Sequence, residues 1–482
     1  MPRFISTAIP YVNAQPHIGH ALEYVQADAY ARALRQAGED VYFLTGTDDN
    51  ALKNVLAAEK AGMPVSEYVA ENAKHFVDLD RALDVAYDDF IRTSSDPRHR
   101  AGVEKLWKAT KPEDLYKKNY HGYYCVGCEE FKTEKDLVNG ECPEHPGRAL
   151  EEVKEENYFF RLSAYQLELQ KRIESGELQI VPESRKKETL AFIKGGLEDF
   201  SVSRSAVRAK GWGIPVPGDP EQYLYVWYDA LANYITALDY AIEGERYEKY
   251  WAAPDAKKVH LIGKGINRFH TLYWPAMLLS AGVPLPSKVF VHGYITSGGQ
   301  KMSKTLGNVI DPIELIERYG SEAVRYILLR HGSPTEDFDI TEEKCREWYT
   351  AHLTNGLGNL VARIMKLAEE HLPHPIELAE KDETLEAAFL EKIEEFRFNE
   401  ALDFVFEKVA AADARMAEKK PYTFIKSGDT VERENARKEI ESLVHELAAI
   451  ATHLTPAMPR TAAAILSAVR KNQKPENLFP RL

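Results

Sequence analysis

The first twenty residues constrain the fold of this chain most, because they combine a buried strand, a tight turn and the start of a helix. Residues 4–9 form an apolar run, and two prolines then interrupt regular structure. Apolar residues at helical spacing follow over 19–37, and a second apolar strand is predicted at 41–45. This order predicts a βαβ unit, and therefore a parallel sheet with a right-handed crossover.

Two histidines lie where the helix is predicted to begin. His17 and His20 are three residues apart, so both imidazoles should project to one side of the first turn, and Gly19 between them allows close approach to the backbone. The free N–H groups of a helix start favour an anion. A histidine at such a position is often only a helix cap, and the tetrapeptide alone leaves both interpretations open.

The second predicted strand is followed by acidic residues. Asp48 and Asp49 stand at its C-terminal end, beside the crevice where open α/β sheets bind ligands. Capping of the next helix is an equal alternative. The segment contains neither G-x-G-x-x-G nor a Walker A loop, so neither the usual dinucleotide fold nor a P-loop enzyme is indicated.

A cluster of cysteines falls within residues 115–150, where the composition changes and predicts an insertion. Cys125 and Cys128 are followed, after 13 intervening residues, by Cys142 and then His145. Three thiolates and one imidazole at this spacing predict one tetrahedral structural Zn²⁺, and a thiol cluster without metal is the alternative. All four positions are filled by protein, so we expect the metal to hold the fold rather than perform chemistry.

Length, net charge and the lengths of the apolar runs limit the classes of protein to which this chain can belong. The 482 residues exceed one hydrophobic core, and a formal net charge of −14 argues against a protein that coats nucleic acid non-specifically. No apolar run reaches the ~18 residues needed to cross a bilayer. The strand close to the N-terminus leaves no room for a signal peptide, so we expect a cytoplasmic protein without membrane contact.

A lysine motif completes the pattern. Lys301, Met302, Ser303 and Lys304 come after two glycines and the apolar run 289–295. Together with H-I-G-H at residues 17–20, this motif resembles the paired signatures of the class I aminoacyl-tRNA synthetases, each following a predicted strand. The resemblance covers nearly the whole chain and is closest to the methionyl-tRNA synthetases.

The resemblance implies an α/β fold in which a Rossmann-like parallel sheet carries a zinc-bearing connective insertion and is followed by a C-terminal all-α anticodon-binding bundle. We expect the sheet to regain strands at 223–228, 259–263 and 289–295, and the bundle to contain helices at 350–370, 385–418 and 431–452. The predicted domains are a catalytic domain at 1–113 and 221–295, the insertion at 114–220, a lysine-signature and stem-contact region at 296–345, and the anticodon-binding domain at 346–482.

The implied reaction is activation of methionine by ATP with Mg²⁺, followed by transfer to tRNA(Met). His17, His20, Lys301 and Lys304 would be catalytic, and together with Gly19 and Gly263 they would bind the nucleotide. These side chains suit the chemistry, because the step needs neutralisation of phosphate charge rather than a side-chain nucleophile. Asp49-Asn50-Ala51 and Gly265 depart from the family pattern, which affects the expected ribose contacts.

The resemblance also implies the binding residues. The methionine set is Ile9, Tyr11, Asp48, Trp227, Ala230, Tyr234, Ile266 and His270, with Asp48 holding the ammonium. An aromatic and aliphatic slot suits a thioether, although on pattern alone several of these residues could equally be plain core. For the anticodon, Asn359, Arg363 and Tyr422 are implied, and Tyr422 stands where many members have tryptophan.

Two alternatives remain open, another class I synthetase and a non-catalytic tRNA-binding paralogue. Valyl-, isoleucyl- and leucyl-tRNA synthetases need a large editing domain, because apolar pockets discriminate a methylene weakly. A cysteinyl enzyme would need an open zinc coordination site. A binding paralogue would have no reason to keep all four catalytic side chains. We expect a monomer.

Overall fold

The computed structural model describes residues 1–132, 134–302 and 308–482, and the chain divides into two compact units. The first unit comprises residues 1–16, 40–78 and 87–291, and the second comprises 17–39, 79–86 and 292–482. The helix Val65–Ala82 contributes residues to both. Among the described residues, no helix combines the length and the apolar character needed to cross a membrane.

A six-stranded sheet forms the centre of the first unit. In spatial order its strands are Asp89–Arg92, Asp40–Thr47, Pro2–Thr7, Lys257–Gly263, Lys288–His292 and Gln179–Val181. The first strand of the chain pairs in parallel with both of its neighbours. Its last four residues are all buried, as expected for a strand covered on both faces. The predicted parallel sheet is confirmed.

The structure corrects three details of the predicted sheet. Residues 223–228 were expected as a strand of the parallel sheet, but Asp219–Leu224 pairs antiparallel in a separate small sheet and the helix Val226–Leu231 follows. Every residue of that helix is buried, so its apolar run lacks the periodicity that separates a helix from a strand. Residues 289–295 divide between Lys288–His292 and the separate strand Ile295–Ser297. Asp89–Arg92 is a further strand of this sheet, at a place where the sequence predicts none of the strands given above.

The predicted insertion is built on antiparallel strands. Leu115–Cys125 and Glu151–Phe160 form a long pair, from Leu115 opposite Phe160 to Tyr124 opposite Glu151. Glu130–Lys132 and Phe200–Ser201 flank this pair. A three-stranded sheet follows, made of Pro215–Val216, Asp219–Leu224 and Ser203–Ser205. The long hairpin places the cysteine cluster at the end of the pair that carries Cys125.

Helices cover the six-stranded sheet. The longer helices assigned wholly to the first unit are Leu52–Ala61, Pro97–Ala109, Gln166–Glu174, Glu183–Lys194, Val226–Leu231 and Trp274–Ala281. Pro97–Ala109 shows why the chain starts a helix at that point. Asp96 accepts a hydrogen bond from the backbone N–H of Arg98, and Pro97 occupies the first helical position, where no N–H is needed.

The second unit is mainly helical. Its longer helices are Ile18–Gln36, Pro312–Tyr319, Glu342–Trp348, Asn359–His371, Ala387–Glu394, Phe398–Lys419, Thr430–Leu454 and Pro459–Lys471. A π-helical segment, Tyr349–Gly358, leads into Asn359–His371. The helical C-terminal region predicted from the sequence is confirmed. A small sheet of Gln300–Lys301, Ile295–Ser297 and Phe338–Asp339 completes the unit.

Arg325 is a buried arginine that forms hydrogen bonds with distant segments of the second unit. The guanidinium of Arg325 is inaccessible to solvent and donates to the carbonyls of Leu83, Pro456 and Ala457 at 2.7 to 3.0 Å. It also pairs with the Asp28 carboxylate at 2.6 Å. Asp28 also pairs with Arg32 at 2.7 Å and therefore keeps one cation if Arg325 is removed, whereas the three carbonyls, all of buried residues, lose this donor.

Arg325→Met should destabilise the protein by about 3–5 kcal/mol, because three carbonyls of buried residues lose their donor and Asp28 loses one of its two cations. Urea-induced unfolding followed by circular dichroism measures the change. Arg318→Met is the matched control: Arg318 is exposed and pairs with the exposed Glu342, so its loss should cost less than about 1 kcal/mol. Equal losses from the two variants would contradict the role given to Arg325.

Candidate active site

Pairing between the first two strands of the sheet continues past their ends. The backbone N–H of Asp48 donates to the carbonyl of Pro10 at 2.9 Å, and Tyr11 and Asp48 form an isolated parallel bridge. Residues far apart in the sequence therefore lie side by side at the C-terminal edge of the sheet. This is the edge at which open α/β sheets bind their ligands.

Asp48 is a buried carboxylate that has no cation partner in the described part of the chain. Its side chain accepts the backbone N–H of Asn50 at 3.0 Å, and within the described residues it forms no ion pair. Burial, followed by the nearby Asp229 carboxylate, raises the pKa of Asp48 well above its usual range. A ligand ammonium at this position would therefore remove an electrostatic penalty, because an opposite charge favours the ionised form.

The charge of the adjacent carboxylate, Asp49, is already compensated. Asp49 pairs with Arg92 at 2.7 Å and accepts hydrogen bonds from the hydroxyls of Ser94 and Thr47. The next helix, Leu52–Ala61, has Ala51 at its N-cap position, and the side chain of Ala51 forms no capping hydrogen bond. The interpretation of Asp48 or Asp49 as a helix cap is therefore wrong.

Asn50, Asp229 and His99 form a hydrogen-bonded group near Asp48, and none of them was assigned to a site from the sequence. Asp229 accepts from the side-chain amide of Asn50 at 2.7 Å and contacts Nε2 of His99 at 2.6 Å. The other ring nitrogen of His99 lies 2.9 Å from the Thr236 hydroxyl. These residues come from separate helices and loops, so no local motif connects them. Asp229 alone could have been linked to the site from the sequence, because it lies just after Trp227, which the resemblance assigns to methionine binding.

The residues implied for methionine lie in the first unit, and one of them, Tyr11, pairs with Asp48. Trp227 stacks on Phe269 with ring centroids 3.6 Å apart and meets Tyr11 edge-on at 6.2 Å. Ile9 and Ile266 pack at the margin of the same apolar cluster, and Ala230 is buried. Two buried polar atoms, the Tyr11 hydroxyl and the Trp227 indole nitrogen, have no hydrogen-bond partner in the part of the chain that the structure describes.

Tyr234 and His270 form the polar contact of this group. Nδ1 of His270 lies 3.0 Å from the carbonyl of Ile266, so Nδ1 carries the proton and donates. Nε2 of the neutral ring then accepts the hydroxyl proton of Tyr234, 2.7 Å away. Burial lowers the pKa of His270 to about 4, so the imidazole is neutral at physiological pH.

In the second unit, the two histidines build the start of the helix Ile18–Gln36. Nδ1 of His17 accepts the backbone N–H of Gly19 at 3.1 Å, and Nδ1 of His20 accepts the backbone N–H of His17 at 3.1 Å. The rings stack with centroids 3.8 Å apart, so the predicted projection to one side is confirmed. Because both Nδ1 atoms accept, each ring carries its proton on Nε2, which is a hydrogen-bond donor at any charge state.

Contacts around the histidine pair explain why a glycine lies between the two histidines. A Cβ on Gly19 would lie 2.9 Å from Cε1 of His17, so any side chain there would displace the imidazole. His292 pairs with Glu23 at 3.0 Å. Burial, followed by the imidazoles of His17 and His292, lowers the pKa of His20 well below its usual value. His292 and Glu23 carry no sequence signal that could have assigned them to this group.

The lysine motif is only partly described. Gly298 and Gly299, both with positive φ, form a two-residue turn between Ile295–Ser297 and Gln300–Lys301. Lys301 pairs through its backbone with Thr296, and Gly299 donates its N–H to Asp339 at 2.7 Å. Lys304 lies outside the described residues. Gly263 ends the strand Lys257–Gly263 in the first unit.

The four candidate metal ligands come together in the first unit. The sulfurs of Cys125, Cys128 and Cys142 and a nitrogen of His145 all lie within 4.8 Å of one another. The closest separations are 3.4 Å, from the Cys128 sulfur to the Cys142 sulfur and to Nδ1 of His145. Bond lengths of ~2.0–2.3 Å around a tetrahedral Zn²⁺ require ligand separations of this size. The predicted grouping is confirmed, and this set could hold a metal.

The residues implied for the anticodon lie on helices of the second unit. Asn359 begins the helix Asn359–His371, and Arg363 on the same helix pairs with Asp413 at 2.7 Å. Tyr422 is 40% exposed on the short helix Pro421–Phe424, so its ring is available to a partner.

Comparison with known proteins identifies similar chains. A family model described as tRNA synthetases class I (M) matches residues 3–149 and 146–365. The methionine--tRNA ligase of Caldanaerobacter subterraneus subsp. tengcongensis is 43% identical, over 95% of this chain and 72% of that protein. The methionine--tRNA ligase of Thermotoga maritima is 39% identical, over 98% of this chain and 76% of that protein.

Solved structures resemble the whole fold. Mycobacterium tuberculosis methionyl-tRNA synthetase in complex with methionyl-adenylate superimposes with a TM-score of 0.88 at 36% identity, covering 97% of this chain and 93% of that chain. The free form of the same protein gives a TM-score of 0.83 at 31% identity, covering 100% and 98%.

Protonation of His270 should lower stability in acid. Its folded pKa of about 4 lies below the ordinary value of 6.5, so the unfolded chain binds the proton first and stability falls as pH drops through 6.5 towards 4. At pH 5 the loss should be about 2 kcal/mol. Unfolding free energies of the wild type and of His270→Gln between pH 7 and 5 measure it.

His270→Gln should weaken this pH dependence, whereas substitution of the exposed His75 by glutamine should leave it unchanged. An unaltered pH dependence in His270→Gln would show that this imidazole is not held neutral.

Proposed function

We propose from its membership of the methionine-type class I tRNA synthetases, the family to which this chain belongs, that the protein activates methionine with ATP and transfers it to tRNA(Met). In the first step the methionine carboxylate attacks the α-phosphate, giving methionyl-adenylate and pyrophosphate. In the second step the methionyl group passes to the 3′-terminal adenosine of the tRNA. One observation carries the proposal: a buried carboxylate with no ion-pair partner among the described residues lies beside Tyr11, whose ring meets that of Trp227.

Asp48 is proposed to bind the ammonium group of methionine. The carboxylate is buried, lies near Asp229 and has no ion-pair partner among the described residues. An α-ammonium would supply the missing charge, and the bridge between Tyr11 and Asp48 would direct the rest of the substrate towards the rings. Amino acids share this ammonium, so Asp48 provides affinity rather than selectivity.

Selectivity for methionine is proposed to come from the aromatic slot. Tyr11 and Trp227 provide polarizable ring edges, and Ile9, Ala230 and Ile266 add aliphatic surface. A flexible thioether suits such surroundings better than a branched side chain does. Tyr234 donates its hydroxyl proton to the neutral His270, so this pair is proposed to fix the orientation of the two side chains rather than to donate to the substrate sulfur.

The histidine pair is proposed to bind phosphate. The Nε2–H groups of His17 and His20 are donors in the neutral rings, and they belong to the first turn of a helix, where anions are favoured. The reaction needs no side-chain nucleophile, because the substrate carboxylate attacks and pyrophosphate leaves. Each donor that strengthens on the developing charge is worth ~3–4 kcal/mol.

Lys301 and Lys304 are proposed to neutralise the pyrophosphate, together with Mg²⁺ bound to ATP. The turn at Gly298 and Gly299 that precedes them supports a loop that can close over the phosphates. Gly263, at the end of its strand, would let the nucleotide approach the backbone. The predicted division into domains and the monomeric state stay part of this proposal.

Zn²⁺ is proposed as the metal held by Cys125, Cys128, Cys142 and His145. Three soft thiolates and one imidazole in a compact group select this ion over the harder Mg²⁺ or Ca²⁺. Gly127 has no side chain because a Cβ would lie 2.4 Å from the His145 ring. Bound Zn²⁺ would act structurally, because protein fills all four positions.

The anticodon of tRNA is proposed to bind the second unit through Asn359, Arg363 and Tyr422. Arg363 and Asn359 lie one helical turn apart and can present donors to bases on one face. The exposed ring of Tyr422 can stack on a base, which is worth ~1–3 kcal/mol.

Methionine-dependent exchange of labelled pyrophosphate into ATP tests the proposed reaction. We expect exchange with methionine and none with leucine, isoleucine or cysteine at the same concentration. Exchange with a different amino acid would indicate another synthetase. No exchange with any amino acid would favour a tRNA-binding paralogue without catalysis.

Asp48→Asn should weaken methionine binding by about 2–4 kcal/mol, because the ammonium would lose its charged partner in a buried site. The KM for methionine in the exchange assay measures this effect, and the KM for ATP should change little. Asp255→Asn, an exposed aspartate of the same unit, is the matched control and should behave as the wild type. An unchanged KM for methionine in Asp48→Asn would refute the ammonium assignment.

A further inference from the structure

Glu129 follows the metal-ligand candidate Cys128 and is fully buried. Its backbone has φ of 55°, a left-handed conformation that a residue with a Cβ rarely adopts. Its carbonyl accepts the hydroxyl proton of Tyr225. A strained, buried glutamate persists only when its surroundings hold it in place, and strain of this kind collects near functional sites.

The carboxylate of Glu129 has partners on both oxygens. Oε1 accepts the backbone N–H of Lys53 at 2.6 Å. Oε2 accepts the Tyr124 hydroxyl at 2.9 Å and a guanidinium N–H of Arg204 at 3.2 Å. Arg204 is itself buried, so the pair lies away from water. Loss of the carboxylate would leave all three donors without this acceptor.

The bond to Lys53 replaces a missing helix cap. The helix Leu52–Ala61 begins after Ala51, whose methyl group cannot accept a hydrogen bond. Lys53 is the second residue of that helix, and its N–H is one of those left without an intrahelical partner. Glu129 supplies the acceptor from a different part of the chain and places a negative charge at the positive end of the helix dipole.

This first helical turn contacts the residues proposed to bind methionine. The side-chain amide of Asn54 donates to the carbonyl of Asp48 at 2.9 Å. The ammonium of Lys53 lies 4.7 Å from the centre of the Tyr11 ring. Asp48 is also joined to the backbone beside Tyr11 through Pro10. A shift of the turn would therefore move Asp48 and Tyr11 together.

We propose that Glu129 is a positioning residue for methionine activation, which couples the cysteine–histidine cluster to the amino-acid site by capping the helix that follows Asp48. The inference rests on the proposed function. It assigns Glu129 no contact with substrate, and its effect passes through the turn at Lys53 and Asn54. The charge of Glu129 acts in the same direction, because it adds to the negative field around Asp48 that favours an ammonium.

Glu129→Ala tests this coupling in the exchange assay. We expect the KM for methionine to rise about tenfold or more, as is typical when a residue that orients a binding group through hydrogen bonds is removed. The KM for ATP should change less than twofold, and the bound zinc should remain at one per chain. Glu134→Ala, an exposed glutamate of the same insertion, is the matched control.

A second variant separates capping from general damage to the fold. Ala51 already has the extended backbone of a helix cap, so Ala51→Ser can supply a local acceptor. The double variant Ala51→Ser with Glu129→Ala should recover about fivefold of the loss in KM for methionine. If Glu129→Ala does not fold, Glu129→Met, which keeps a similar volume and cannot cap the helix, takes its place in both comparisons.

The outcomes distinguish this inference from the proposed function. A wild type without methionine-dependent exchange would overturn the proposed function itself. A wild type with exchange, combined with an unchanged methionine KM in Glu129→Ala, would overturn the positioning role alone. Equal rises in KM for methionine and ATP, or no recovery in the double variant, would show a merely structural glutamate and would also overturn it.

Discussion

The parallel pairing between Pro2–Thr7 and Asp40–Thr47 is the constraint on which the amino-acid site of the first unit depends. Because it continues to the contact between Pro10 and Asp48, it brings a carboxylate against Tyr11 at the edge of the sheet. The same edge is buried, so the carboxylate loses its hydration there. The fold thus places a buried carboxylate next to Tyr11, and our proposal for amino-acid recognition rests on that arrangement.

Adjacent acidic residues take opposite roles at this edge. Asp49 is neutralised by Arg92 and by two hydroxyls, and it joins the strand end to the next strand, Asp89–Arg92. Among the described residues, the Asp48 carboxylate accepts only the backbone N–H of Asn50, and it lies near a second carboxylate. One aspartate therefore stabilises the loop, and the other remains available to a ligand. Their sequence positions differ by one residue, whereas their electrostatic surroundings differ completely.

Burial keeps these imidazoles neutral, because it lowers their pKa, and two different hydrogen-bond patterns decide which ring nitrogen carries the proton. His270 donates from Nδ1 to a carbonyl, which leaves Nε2 to accept from Tyr234. His17 and His20 accept at Nδ1 from backbone N–H groups, which leaves the proton on Nε2. The first pattern orients a hydroxyl, and the second presents N–H donors. In each case backbone geometry fixes the tautomer, and through it the chemistry that the ring can perform.

The sequence by itself determined the βαβ start, the helical C-terminal region, the cysteine–histidine ligand set and the paired motifs, because each is encoded in local spacing or periodicity. It did not separate the buried helix Val226–Leu231 from a strand, since a fully buried segment has no polar face. Only the tertiary structure decided which aspartate is compensated, which tautomers the histidines adopt, and that Asn50, His99, Asp229 and Glu129 surround one site. These properties arise from contacts between residues distant in the chain, where burial and partner geometry set the energies.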